Sequence, residues 1–144
     1  MIYLDSSVVF SVQGRDVNSP AASALLQSVR ETLALTRLCE VEFINALSRR
    51  RFRKEISEAQ AQASISDLEN NLLRGVYQLL PFPDSAFTRA RALALTITPS
   101  VGVRAADLLH VAAAIELGAS ALYTFDQKQH QTAQAAGLAV NPLP

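Results

Sequence analysis

Cysteine and histidine are nearly absent: the chain has one Cys, two His and no Trp. A disulfide framework is therefore excluded, and so is a structural zinc cluster or zinc finger. Net charge is absent as well, thirteen Lys+Arg balancing thirteen Asp+Glu. The protein is not a uniformly basic nucleic-acid coat, and any contact with a polyanion has to come from a local patch. Five glycines are spread along the chain without forming a phosphate-cradling loop. No apolar run approaches the roughly 18 residues of a membrane span. The start, Met1-Ile2-Tyr3-Leu4-Asp5, lacks a basic segment and meets an acid too early for a signal peptide. The expectation is a soluble cytoplasmic protein.

What the chain does have is apolar surface. At 49% hydrophobic over 144 residues it can bury a sizeable core, which argues against disorder and for a single domain over 1–144. Short apolar runs at Ile2–Leu4, Leu33–Leu35, Val76–Leu80, Ala121–Phe125 and Leu138–Val140 read as strands. Between them lie helical patterns: a short one closing near Gly14, Ser19 to about Arg30, Arg37–Lys54, Ser57 to about Leu73, Pro83-Asp84 to about Ala94, Val103–Leu117 and Gln127–Ala136. Ser19-Pro20 reads as a capping hydroxyl before a first-turn proline, and Ser57-Glu58-Ala59-Gln60 as a capping box. Strands alternating with helices predict an α/β fold, three layers around a mostly parallel sheet.

Ligands of such sheets bind beyond the carboxyl ends of the strands. Asp5 and Asp126 fall at two of those ends, and each also reads as a helix cap. Asp107 opens a helix that is apolar nearly all round, where a buried carboxylate is costly unless paired or bound to a cation. Its local alternative is an ion pair with Arg104; His110, one turn later, reads as a satisfied neighbour rather than a ligand. Glu40 and Glu42 lie about 160° apart on their helix, so they cannot share a site. Glu42 sits with Asn45, Ala46 and Arg49 on a small polar strip suited to a cleft, whereas Glu40 suits the helix dipole.

The candidate set is thus Asp5, Glu42, Asp107 and Asp126, with Ser6, Thr124 and Asn45 as supporting groups. Both hydroxyls read equally as helix caps or as partners of a local backbone group. Clustered carboxylates repel unless a cation sits among them, and an all-oxygen set selects Mg²⁺ or Mn²⁺. A basic run, Arg49-Arg50-Arg51 with Arg53 and Lys54, ends the same helix. Its Arg49, Arg50 and Arg53 are candidates to hold a phosphate backbone; a solvated helix end is the alternative.

Four segments carry a resemblance: Met1-Ile2-Tyr3-Leu4-Asp5-Ser6-Ser7, Glu42-Phe43-Ile44-Asn45-Ala46-Leu47, the run from Arg104 to Ala114, and Leu122-Tyr123-Thr124-Phe125-Asp126. In this order they resemble the PIN-domain ribonucleases, and most closely the VapC-type toxins of bacterial toxin–antitoxin pairs. The resemblance implies a three-layer α/β/α domain whose acids are Asp5, Glu42, Asp107 and Asp126, with Ser6 at the family's hydroxyl position. It implies Mg²⁺- or Mn²⁺-dependent cleavage of RNA, a homodimer, and a small antitoxin partner. Where many relatives carry a further acid, this chain has Lys128 and His130. A phosphate-accepting receiver domain lacks support, since neither paired acids near the first strand nor a lysine on a late strand is present. A haloacid-dehalogenase-like phosphatase needs an acid where Ser7 stands. The remaining alternative is a degenerate RNA- or partner-binding module.

Overall fold

The computed structural model describes residues 1–14 and 16–143. Its elements run β1 (Ile2–Leu4), α1 (Ser6–Gly14), α2 (Ser19–Gln27), β2 (Leu33–Thr36), α3 (Arg37–Phe52), α4 (Glu58–Leu73), β3 (Gln78–Leu80), α5 (Ser85–Thr96), α6 (Thr98–Val101), α7 (Ala105–Glu116), β4 (Ala121–Tyr123), α8 (Gln127–Ala135) and β5 (Ala139–Val140). The strands form one sheet in the order β3-β2-β1-β4-β5. Every pairing is parallel, with Ile2 set opposite Leu33 on one side and Ala121 on the other. The chain winds outward from β1 in one direction and returns to its other flank at β4. The crevice beyond the carboxyl ends of β1 and β4 is therefore the topological switch point, where such sheets bind ligands.

Alternation along β1 divides the core in two. Ile2 and Leu4 face α1, α3 and α4, burying Val8, Val9, Cys39, Phe43, Leu47 and Leu68. Tyr3 faces the other layer, with Leu108, Val111, Ala112, Ala113 and Ala114 of α7, Leu122, and helices α5 and α8. This is the three-layer α/β/α architecture that the alternating pattern predicts. Leu26, Leu68 and Leu72 pack into the first cluster, whereas Leu73, at the end of α4, is an exposed apolar side chain, at 85%. Among the described residues no helix is long and apolar enough to cross a membrane.

Several boundaries differ from the sequence reading. The helix expected from Val103 begins at Ala105, because Gly102 takes a left-handed backbone (φ 67°) that ends the short helix α6, and Arg104 is extended. Strand β3 keeps only Gln78–Leu80, and β4 stops at Tyr123. Helix α3 ends at Phe52, two residues before Lys54, which adopts φ 59°. Ser19 is not a cap. Its hydroxyl donates to the Ser11 carbonyl and accepts from the Asp16 amide, and Asn18 takes the N-cap position without a side-chain bond. The capping box at Ser57 is present in full, both Ser57–Gln60 hydrogen bonds being made.

Two substitutions check this account by urea denaturation. Phe43 is fully buried, and Phe43→Ala is expected to cost about 3–5 kcal/mol. Ser57→Ala, which loses only the cap, is expected to cost about 1 kcal/mol.

Candidate functional site

Asp5 follows the last residue of β1 and is buried. Its Oδ1 accepts the backbone amides of Ser7 (2.8 Å) and Val8 (3.3 Å) and the Ser7 hydroxyl, so it caps α1. Its Oδ2 accepts the Thr124 hydroxyl at 3.2 Å. Ser7 Oγ in turn accepts the Phe125 amide, and Thr124 Oγ1 accepts the Asp126 amide. One carboxylate thereby fastens the start of α1 to the turn after β4. Asp126 caps α8 through the Gln129 amide at 2.9 Å. The cap readings of both acids hold, and neither removes the acid from the switch point.

Helix α3 presents the strip that its periodicity predicts. Ser6, Glu42, Asn45, Ala46, Arg49, Arg104, Ala106 and Asp107 line one cleft of about 270 Å³. Glu40 points elsewhere and pairs with Arg37 at 2.9 Å. Glu42 Oε2 accepts both the Ser6 hydroxyl and His110 Nε2, each at 2.7 Å. Arg104 spans two acids, reaching Asp107 at 3.1 Å and Asp126 at 3.6 Å. Asp126 lines the adjoining depression with Ser6, Phe10, Ala46 and Phe125. A third, shallow depression joins Phe10 and Ala46 to Arg49, Arg50 and Arg53. Ala46 borders all three.

The four acids thus meet at one corner of the fold but not at one point. Among the described residues no three His, Cys, Asp or Glu side chains stand close enough to hold a metal ion as they are placed. Asp5 lies beneath the groove with both oxygens engaged, and a guanidinium occupies the space between Asp107 and Asp126. In chemistry the set suits a hard divalent cation, since every candidate donor is oxygen. Arg104 itself is 78% exposed, against 12% for Asp107 and 32% for Asp126.

The basic run is less available than its charge suggests. Glu55 pairs with Arg50 at 3.2 Å and with Arg53 at 2.6 Å, and Arg51 reaches Glu58 at 3.4 Å. Arg49 is the member of the run that lines the acidic cleft. Lys128 donates to the Gly102 carbonyl and His130 to that of Asn141, so these two residues serve the turn after α6 and the end of the chain rather than supplying an acid's function.

With this geometry in place, comparison with known proteins is decisive. The model of the PIN domain matches residues 2–135. The chain belongs to the PIN-domain family. No curated protein sequence matches it significantly. In structure this PIN domain is similar to VapC20 of Mycobacterium tuberculosis, a toxin that cleaves the sarcin–ricin loop: TM-score 0.72, 18% identity, 99% of this chain and 100% of that one. It is similar to VapBC2 of Rickettsia felis, solved with a promoter DNA fragment: TM-score 0.67, 20% identity, 98% of each chain. FitAcB of Neisseria gonorrhoeae aligns with TM-score 0.68 and 18% identity over 99% of this chain and 97% of that one.

Two acids of this PIN domain are driven in opposite directions. Burial pushes the Asp5 carboxyl above its ordinary 3.8, against the opposing effects of His110, Ser7 and Val8. Burial also acts to raise Glu42, but the hydrogen bond and charge of His110, the Ser6 bond and Arg104 together outweigh it and hold the carboxyl below 4.5. For Glu42, stability is present above pH 4.5 and is lost as pH falls through the depressed value. For Asp5, stability is full below pH 3.8 and declines as pH rises through the raised value. Urea titrations of metal-free protein across pH 3–8 check both signs. Glu42→Gln is expected to be less stable than wild type at neutral pH, the gap closing below pH 4.5. Wild type is expected to lose stability relative to Asp5→Asn as pH rises above 3.8.

Proposed function

We propose that this PIN domain is an endoribonuclease that hydrolyses RNA phosphodiester bonds with Mg²⁺ or Mn²⁺, and that it is the toxin of a cytoplasmic toxin–antitoxin pair. The observation that carries the reading is the cleft at the sheet's switch point. There Glu42 and Asp107 share one wall system with Arg49 and Arg104, and Asp5 and Asp126 lie immediately beside it. Acid and guanidinium groups arranged together suit a phosphodiester, whose anionic oxygens need cations and whose hydrolysis needs an activated water.

The residues that would hold the divalent ion are Asp5, Glu42, Asp107 and Asp126, with Ser6 beside them. Such an ion, when bound, polarises a phosphoryl oxygen and makes attacking water more acidic. Ser6 and His110 orient Glu42, and Thr124 and Ser7 orient Asp5. Arg49 binds a backbone phosphate entering the cleft, and Asn45, on the same strip, contacts the strand beside it. Arg104, whose own side chain is exposed and which pairs with the buried Asp107 and with Asp126, offers a second guanidinium to a backbone phosphate. Arg50 and Arg53 extend the basic rim next to Arg49. A small antitoxin is one protein partner, a reading supported by the VapBC complex among the similar structures, and a second copy of the chain is the other.

Incubation of purified protein with cellular RNA in Mg²⁺, Mn²⁺ or EDTA tests the proposal. Cleavage is expected with either ion, none in EDTA, and none above background for Asp5→Asn or Asp107→Asn despite cooperative melting of both variants. Near-normal cleavage by either variant overturns the site assignment, and RNA binding without metal-dependent cleavage replaces the enzyme by a binding module. Arg49→Ala is expected to weaken RNA binding and to lower the slope of log affinity against log salt by about 1. Mn²⁺ at a hundred times its dissociation constant is expected to stabilise wild type by about 2.7 kcal/mol, and Asp107→Asn far less.

A further inference from the structure

A hydrogen-bonded chain runs from the interior of the sheet to the Glu42 carboxylate. Thr36 Oγ1 and the Tyr3 hydroxyl are 2.8 Å apart, the Tyr3 hydroxyl meets His110 Nδ1 at 3.0 Å, and His110 Nε2 meets Glu42 Oε2 at 2.7 Å. Tyr3, Thr36 and His110 are wholly buried. They come from β1, β2 and α7, and the chain ends on α3 at a residue whose side chain is 27% exposed in the cleft. The rings of Tyr3 and His110 pack edge to face, their centroids 5.8 Å apart.

The donor and acceptor roles follow from the groups themselves. A carboxylate only accepts, so His110 Nε2 carries a proton and donates to Glu42 in either charge state of the ring. Nδ1 is bonded to the Tyr3 hydroxyl, which can give or take a proton and therefore suits both states. Burial drives the Tyr3 phenol far above its ordinary range, so it remains a neutral hydroxyl. Among the described residues both groups that donate to Glu42, His110 Nε2 and Ser6 Oγ, use Oε2, which leaves the lone pairs of Oε1 for a ligand in the cleft. Helix α7 is otherwise apolar here, Val111 to Ala114 being fully buried. Packing alone is served as well by an apolar side chain, without three buried polar groups that must all be satisfied.

We propose that Tyr3 and His110 are positioning residues that lock Glu42 in one rotamer with a single oxygen presented to the cleft. The role in RNA cleavage rests on the ribonuclease reading; the lock itself does not. His110→Gln keeps a donor at the place of Nε2, His110→Asn keeps one only near Nδ1, and Tyr3→Phe removes the support while leaving the imidazole. The expected order of kcat is wild type, then Tyr3→Phe and His110→Gln, then His110→Asn. His110→Asn is expected to fall by about 10–100-fold, as substitutions behind a ligand do, with KM for RNA unchanged. A second readout uses metal-free protein: a one-bond ¹H–¹⁵N spectrum of the imidazole region is expected to show a slowly exchanging His110 Nε2 proton that exchanges faster in Tyr3→Phe and in Glu42→Gln.

Equal kcat in His110→Gln and His110→Asn, or losses that simply follow melting temperature, overturn the positioning role. An Nε2 position without a proton, or one indifferent to Glu42→Gln, overturns the lock. If wild type cuts no RNA in Mg²⁺ or Mn²⁺, the ribonuclease reading fails, and the spectrum still decides the lock independently.

Discussion

Asp5 is a carboxylate with almost no access to water, and the surrounding site is organised by the need to satisfy it. A buried charge of this kind is tolerable only when its lone pairs are filled. Here they take two amides at the start of α1, the Ser7 hydroxyl and, across the sheet, the Thr124 hydroxyl. Because Ser7 and Thr124 then bind the amides of Phe125 and Asp126, the end of β1 and the turn after β4 cannot move independently. Thr124 is itself held from behind, its amide donating to Asn141 Oδ1 at 2.7 Å. The crevice that any parallel sheet leaves at its switch point is thus given rigid walls.

On that floor the remaining acids differ in how they are held. Glu42 is gripped by two donors on a single oxygen, one of them backed by a ring in the core. Asp107 and Asp126 are joined by an arginine whose own side chain is exposed. The guanidinium feels Asp107 most, then Asp126 and Glu42, which holds it more firmly protonated. The corner therefore combines anionic groups held by hydrogen bonds with one exposed cation bridging two of them. Arg49 adds a second cation from the wall of the same cleft, while Glu55 and Glu58 neutralise much of the run behind it.

The layered fold was legible because its signals are local. Apolar triplets alternating with amphipathic stretches specify buried parallel strands and covering helices, and the 3.6-residue period placed Glu42, Asn45, Ala46 and Arg49 on one strip that does line the cleft. Element ends were less legible. The start of α7 depends on the left-handed backbone at Gly102, and Ser19 bonds to Ser11 and Asp16 where its spacing suggested a cap. The pairing of Arg50 and Arg53 with Glu55 was equally invisible, since it arises where α3 turns back toward α4.

Residue identity by itself determined the family and the candidate groups: oxygen donors, acids at strand ends, arginines behind a polar strip, and a PIN-like order of segments. Local spacing anticipated the caps of Asp5 and Asp126 and the Arg104–Asp107 pair, but tertiary structure alone decided the partners of Tyr3, Glu42 and His110. Tyr3 and Thr36 are 33 residues apart, Tyr3 and His110 107, and Glu42 and His110 68. No periodicity spans such distances. Hydrogen bonds of this kind exist only after the sheet register and the packing of α7 bring the groups within 3 Å, because their strength vanishes within an ångström of that separation.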